Sequence, residues 1–190
     1  MFLSSISALY FEMQLKTNNY LLVAMVPDTV DEKYLAWLHD SRISNTLFTD
    51  GESLTLQTLR DYVGNHDNTN EFLFGIYTNT KTLIGTHSFR LDPVQRIATI
   101  GVMIGDVDYW GKGVPLETRA RLLDWAFSDL QCVKAKAGCY SDNSPAIFNF
   151  LHQNWEIERI QKKARVSRGK SVDLIYFYIT RNTWHARRKD

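Results

Sequence analysis

The sequence predicts an α+β domain: a central mixed, mostly antiparallel sheet of about seven strands flanked by helices. Two observations predict it. Strand-like and helix-like runs follow one another as β-αα-βββ-α-β-α-ββ, a meander joined to a single crossover. An apolar strand ending at Gly105 also leads, through Asp106–Trp110, into a turn with glycines at 111 and 113. That turn opens the amphipathic run 114–127. At 190 residues the length suits one domain, and no repeat, low-complexity stretch or linker divides it.

The elements follow in order. Residues 21–25 read as a strand. Asp28 or Thr29 is placed to cap a helix reaching about His39, with Val30, Tyr34, Leu35, Trp37 and Leu38 on its apolar face. Ser53 is placed to cap a second helix, 54–63, with Leu56, Leu59, Tyr62 and Val63 at helical spacing. After a polar turn at 64–70, residues 71–77 and 82–91 are strands joined by the turn 78–81. Asp92-Pro93 then turns the chain into a further strand, 96–105. The helix 114–130 is followed by strand 133–140, helix 143–154 and two last strands, 156–166 and 172–180. Residues 1–12 read as an extension, 13–182 as the domain, and 183–190 as a basic tail containing Arg187-Arg-Lys189.

Composition narrows the function classes. Lys plus Arg number 22 and Asp plus Glu 21, so no basic field points to nucleic acid or to a membrane surface. No apolar run approaches the ~20 residues that span a bilayer. The apolar start lacks the basic flank of a signal peptide. Cys132 and Cys139 are too few for a disulfide framework. A cytoplasmic protein, monomer or homodimer, with no bound metal is expected.

The chemistry concentrates at the glycine turn. A strand–turn–helix junction exposes backbone N–H groups, and the helix start adds a partial positive charge, so the pair suits an anion such as a phosphate. Gly111 and Gly113 can take positive φ and carry no Cβ, which lets a pyrophosphate approach the backbone. By itself this pattern is equally that of a plain tight turn.

The segment Tyr109-Trp-Gly-Lys-Gly-Val114 resembles the pyrophosphate loop of the GNAT superfamily of acyl-CoA N-acyltransferases. The likeness is to the branch of ribosomal-protein N-terminal and amino-sugar N-acetyltransferases. Ala137-Gly-Cys-Tyr-Ser-Asp-Asn-Ser-Pro-Ala-Ile147 resembles the second signature of that family, and Tyr34-Leu-Ala-Trp-Leu-His-Asp40 resembles its early Tyr-x-x-Trp-Leu-x-Asp. The resemblance implies a single GNAT-like domain that transfers an acetyl group from acetyl-CoA to a primary amine, directly in a ternary complex. The expected acceptor is an amino sugar, in particular a nucleotide-linked one, or a similar small metabolite. A protein N-terminal acetyltransferase and a non-catalytic CoA-binding protein are the alternatives.

The resemblance also implies roles for particular residues. Trp110, Gly111, Lys112, Gly113 and Val114 would hold the CoA pyrophosphate. Met103, Ile104 and Gly105 would offer strand edge to the pantetheine arm, and Asn143 and Ala146 would meet it from the following helix. Asn143 is equally a preferred helix cap. Trp37, Asp40 and Arg42 would lie near the acceptor, an Asp suiting an amine and an Arg a phosphate. Three departures stand out. Pro115 removes one backbone donor from the loop, Phe150 stands where many members have a tyrosine acid, and Asn154-Trp155 replaces the usual Gly-Phe. The strand 96–105 has no carboxylate, so Asp106, His87 and Tyr140 are the remaining candidates for proton transfer. His87 shares a period-two face with Leu83, Phe89 and Leu91, which also fits a packed core histidine.

Overall fold

Period-two burial builds the sheet. In the strands Tyr20–Ala24 and Lys134–Tyr140 every second residue is buried, as expected when one face meets a core. The computed structural model describes residues 13–48, 53–167 and 169–187. Among them are eight strands: β1 Gln14–Lys16, β2 Tyr20–Ala24, β3 Glu71–Thr78, β4 Leu83–Asp92, β5 Ile97–Ile104, β6 Lys134–Tyr140, β7 Glu156–Ser167 and β8 Lys170–Thr180. They form one sheet in the order β1-β2-β3-β4-β5-β6-β8-β7. β1, a three-residue strand that pairs with β2, is the one the sequence reading did not foresee.

Every neighbouring pair is antiparallel except β5 and β6. The crossover between those two carries the helix α4 Val114–Asp124, extended by a π-helical turn, Trp125–Asp129. The expected helix 114–130 is thus continuous but changes its winding at Trp125.

Helices cover both faces. α1 Glu32–His39, α2 Ser41–Ser44 and α3 Leu56–Gly64 pack with Met25, Leu73, Leu83 and Met103 on one side. α4, α5 Ser144–His152 and α6 Arg181–Arg187 pack on the other, over a larger core that includes Leu22, Phe74, Phe89, Ile100, Ala135 and Phe177.

The caps differ from those expected. Asp31, not Asp28 or Thr29, caps α1 by accepting from Tyr34 N–H at 2.9 Å. Residues Pro27–Thr29 form a separate 3₁₀ turn, in which the Thr29 hydroxyl donates to the Val26 carbonyl. Thr55, not Ser53, caps α3, in a reciprocal box with Thr58. Residues 181–187, expected to lead into a tail, form α6 because Trp184 is buried there, 3% exposed. The expected extension 1–12 and the end of the expected tail, 188–190, lie outside the described residues.

Candidate functional site

The parallel pair β5–β6 is joined over only three positions, Ile97↔Lys134, Ala98↔Ala135 and Thr99↔Lys136. Beyond them β5 continues to Ile104 and β6 to Tyr140, so the two strands part and leave an opening between facing edges. Register decides which backbone groups face that opening. Gly105 N–H donates to the Ile84 carbonyl, continuing the β4–β5 ladder. Hydrogen-bonded pairs alternate along an antiparallel ladder. Gly101, Met103 and Gly105 therefore bond toward β4, and the N–H and C=O groups of Val102 and Ile104 point into the opening. Opposite them, Ser141 N–H donates to the Asp173 carbonyl, so Cys139 bonds toward β8 while Gly138 and Tyr140 face β5.

This corrects the expectation for Met103 and Gly105. Their main chains are committed to β4, and Gly105 lacks a Cβ because the Trp37 indole lies where one would stand. Of the three expected residues, Ile104 alone faces the gap, and its carbonyl already accepts from the Trp110 indole N–H at 2.9 Å. Val102 and Gly138 belong to the edge instead. No side-chain chemistry marks them, so only the pairing register reveals them.

The loop joins the end of this opening. Asp106 caps the short 3₁₀ turn Val107–Tyr109, and Gly111 and Gly113 both sit at φ 73°, in the left-handed region, with open space where a Cβ would project. Leu116 and Glu117 N–H both turn back to the Gly113 carbonyl and start α4. The N–H groups of Gly111, Gly113 and Val114 meet no acceptor among the described residues. Pro115, in the first turn of α4, has no N–H to add. Three unpartnered donors at a helix start remain, an arrangement that suits an anion. The Lys112 ammonium rests over the Tyr109 ring, 5.1 Å from its centroid, and can swing toward an anion without breaking an ion pair. Across the groove, Asn143 caps α5: its Oδ1 accepts from Ala146 N–H at 3.2 Å, which leaves its amide N–H groups as donors.

The proton-transfer candidates separate sharply. His87 is fully buried, with Nδ1 at 2.9 Å from the Gly101 carbonyl and Nε2 at 2.8 Å from the Thr118 hydroxyl. Burial, reinforced by the nearby Arg119 charge, pushes its pKa down to about 3. It is a neutral core residue, and its expected role as a base is withdrawn: both nitrogens are engaged and no solvent reaches it. Asp106 is held by Lys33 at 3.3 Å in addition to its capping bond, so it is not a free base either. The Cys139 thiol is also buried, and burial pushes its pKa up to about 12, which disfavours a nucleophile. Tyr140, the last residue of β6, is half-exposed at the opening, and its hydroxyl meets no partner among the described residues.

On the face of the sheet shared with α1–α3, the expected acceptor residues are engaged with the scaffold or with one another. Trp37 is 8% exposed and packs on Tyr34 and Gly105. Asp40 caps α2 and forms a two-point pair with Arg42, Nε lying 3.0 Å from both carboxylate oxygens. That pairing holds the Asp40 carboxyl below the usual carboxylate range.

A different cluster walls this side of the opening. Phe48 packs edge-on against Tyr140 at 5.1 Å between centroids and reaches over Gly138. Arg165, from β7, lies 3.6 Å from the centre of the Tyr140 ring, donates to the Asn45 carbonyl and stands 3.5 Å from Asp142. Its Nε is buried without a partner among the described residues. The sequence reading named Tyr140 but missed Phe48 and Arg165, which come from a loop and a distant hairpin.

Volume does not mark the site. Cavities of about 430 and 290 Å³ lie toward the other end of β4 and β5, lined by residues such as Arg90, Asp92, Thr99 and Lys136 or Tyr62, His66 and Ser88. No cluster of three or more metal-ligating side chains occurs among the described residues, and none of their helices is long and apolar enough to cross a membrane.

A family model described as an acetyltransferase (GNAT) domain matches residues 20–175. A curated relative, an uncharacterized N-acetyltransferase p20 of Bacillus licheniformis, is 26% identical over 110 residues, 57% of this chain and 61% of the relative. The match therefore spans about three fifths of that protein's length. Among solved structures, a probable acetyltransferase superposes with a TM-score of 0.79 at 19% identity, over 90% of this chain and 99% of the other. The spermidine N-acetyltransferase of Vibrio cholerae, in complex with CoA and spermine, gives 0.78 at 18% identity over 87% and 98%. A ribosomal L7/L12 alpha-N-protein acetyltransferase in complex with CoA gives 0.77 at 16% identity over 88% and 98%. These likenesses establish a shared fold.

Proposed function

Because the chain belongs to the GNAT acetyltransferase domain family, we propose that it transfers an acetyl group from acetyl-CoA to the primary amine of a small metabolite that also carries an anionic group, such as a nucleotide-linked amino sugar. The observation that carries the donor half is the junction of a three-donor loop with an unpaired strand opening. The free N–H groups of Gly111, Gly113 and Val114 suit the pyrophosphate. The edge groups of Val102, Ile104 and Gly138 suit the amides of the pantetheine arm, as a strand edge suits an added strand. The remaining Asn143 amide donor can serve the same arm.

The acceptor half rests on charge. The carboxylates of Asp142 and Asp173, at the Tyr140 end of the sheet, are already engaged: Asp142 with Arg165 and Asp173 with Lys162. A polycationic amine would find no free counter-charge among these groups. An amine bearing a phosphate or carboxylate would meet Arg165, held flat on Tyr140 with its side chain 19% exposed, in competition with its 3.5 Å contact to Asp142. Catalysis then depends mainly on holding thioester and amine together, with edge N–H donors polarising the carbonyl and the Tyr140 hydroxyl beside the amine.

A non-catalytic CoA-binding protein is the second reading. The specific observation favouring it is that His87 is sealed in the core and Asp106 is paired, so neither can accept the amine's proton.

Calorimetry with acetyl-CoA, CoA and desulfo-CoA tests the donor half. Micromolar binding is expected, and its absence in folded protein would overturn the reading. An acetylation assay across nucleotide-linked amino sugars, polyamines and peptide N-termini tests the acceptor, with the first class expected to react fastest. CoA binding without turnover on any class would establish the second reading.

A further inference from the structure

Four large apolar side chains, Phe148 and Leu151 of α5 and Ile157 and Ile160 of β7, are each between 44% and 64% exposed. Cross-strand pairing sets the face on which the two isoleucines lie. Ile157 stands opposite Phe177 and Ile160 opposite Ile175, both core residues on the α5 side of the sheet. Phe150 of α5 stacks on Phe177 with centroids 4.6 Å apart, so the helix lies over β8, one strand in from β7. Gln153 ties α5 to α4: its amide donates to the Leu116 carbonyl and its oxygen accepts from Arg119 Nε. Two residues turn a helix by about 200°, so Leu151 projects away from α4, toward β7. Phe148, three residues earlier, lies on the same flank. The four side chains form one apolar strip along this corner of the sheet, the kind of exposed patch that marks an association surface.

The strip borders a free strand edge. Among the described residues β7 pairs with β8 alone, and it is twelve residues long against three for β1 at the opposite edge. Irregularities at Ile157/Arg159 and Gln161/Arg165 interrupt its pairing, so a partner must be held there by side chains more than by a long ladder. Charge along the strand says what partner fits. Glu156 and Glu158 stand in the first half of β7, Lys162 and Lys163 in the second. Two copies laid antiparallel set the acidic half against the basic half, whereas a parallel arrangement sets like charges together. Glu158 and Lys162 already hold partners within the chain, so charge fixes the direction of the contact and the apolar strip supplies the attraction.

From this geometry we infer that the α5–β7 corner is a homodimer interface, in which two copies of β7 lie antiparallel about a two-fold axis perpendicular to the sheet. That axis keeps both α5 helices on the same face, so the two apolar strips meet and cover one another. The surface is self-complementary, as a two-fold contact demands, and the pairing closes on itself after two copies. The free edge of β7 is then hidden in the dimer, which removes a template for open-ended strand addition.

The test is the mass of the full-length protein by sedimentation equilibrium. Twice the chain mass of 22.0 kDa is expected, with dissociation on dilution. Leu151→Glu and Ile160→Glu, each at a side chain that solvent reaches in the single chain, should weaken the dimer by roughly tenfold or more, because the two-fold axis buries each new charge twice. Circular dichroism should not change in either variant. Lys163→Glu should weaken the dimer by a smaller factor that added salt reduces. Deuterium uptake over residues 156–161 should slow as concentration rises through the dissociation constant. A single-chain mass at every concentration would overturn the proposal; protection of residues 156–161 in that single chain would mean that another part of the same chain covers the strip. A dimer of undiminished affinity in both glutamate variants would place its interface elsewhere and overturn the proposal too. Full affinity in Lys163→Glu would overturn the antiparallel arrangement.

Discussion

At the scale of single residues, His87 shows how environment overrides chemical type. An imidazole ordinarily titrates near neutrality, but here burial and the Arg119 charge hold it neutral down to about pH 3. Nδ1 lies 2.9 Å from the Gly101 carbonyl and Nε2 2.8 Å from the Thr118 hydroxyl, which itself donates to the Val114 carbonyl at 2.7 Å. The linkage has a definite sign. The unfolded chain takes up a proton near pH 6.5 and the folded one only near 3, so stability is lost as pH falls through that window. Each unit of depression corresponds to about 1.4 kcal/mol. Chemical denaturation of wild type and His87→Gln between those limits should show a flatter pH dependence in the variant. Parallel curves would mean that other groups dominate acid unfolding.

At the scale of elements, the loop and helix 106–124 work as one unit. Gly113 is both the left-handed residue before α4 and a donor toward the anion space, and a Cβ there would project into that space. Gly113→Val is expected to abolish CoA binding by calorimetry, both by filling the anion space and by straining a β-branched residue at φ 73°; unchanged affinity in folded protein would remove the loop from the site. Trp110 braces the unit. Its indole N–H holds the Ile104 carbonyl at 2.9 Å, although nearly half of the side chain is exposed. Trp110→Phe keeps the ring and removes that bond. A loss of about 0.5–1.5 kcal/mol is expected in thermal or denaturant unfolding, with weaker CoA binding from a looser loop.

At the scale of the whole molecule, one connection creates the site. Six of the seven strand pairings among the described residues are antiparallel, but the crossover through α4 makes β5 and β6 parallel, and they separate after three pairs. The loop, α5, the Phe48 segment and the β7–β8 hairpin then converge on one gap from four directions. Arg165 is the charge brought in by the hairpin. Arg165→Gln should lower kcat/KM for an anionic amine by roughly 10–100-fold, the cost of one charge-assisted hydrogen bond. Neutral amines should change little. Equal losses on both would place Arg165 in the scaffold rather than in recognition.

Local order was legible in the amino-acid sequence because its signals are local. Alternating burial gave the strands, helical spacing gave the amphipathic runs, and Gly111 and Gly113 gave the turn, each through steric rules acting within a few residues. The α+β class followed from these, whereas the expectation that the turn holds CoA came from its resemblance to a family motif. Cap positions slipped by two or three residues, since Asp28, Thr29, Asp31, Ser53 and Thr55 are all chemically fit to cap and only chain geometry chooses among them. Register and burial were decided by tertiary structure alone. Whether Met103 or Val102 faces the gap depends on a one-residue parity set by pairing with β4, and parity leaves no trace in composition. Likewise His87 became a core residue, and Asp40 and Arg42 became partners. In each case the environment that decides the chemistry comes from strands and helices far away in the chain.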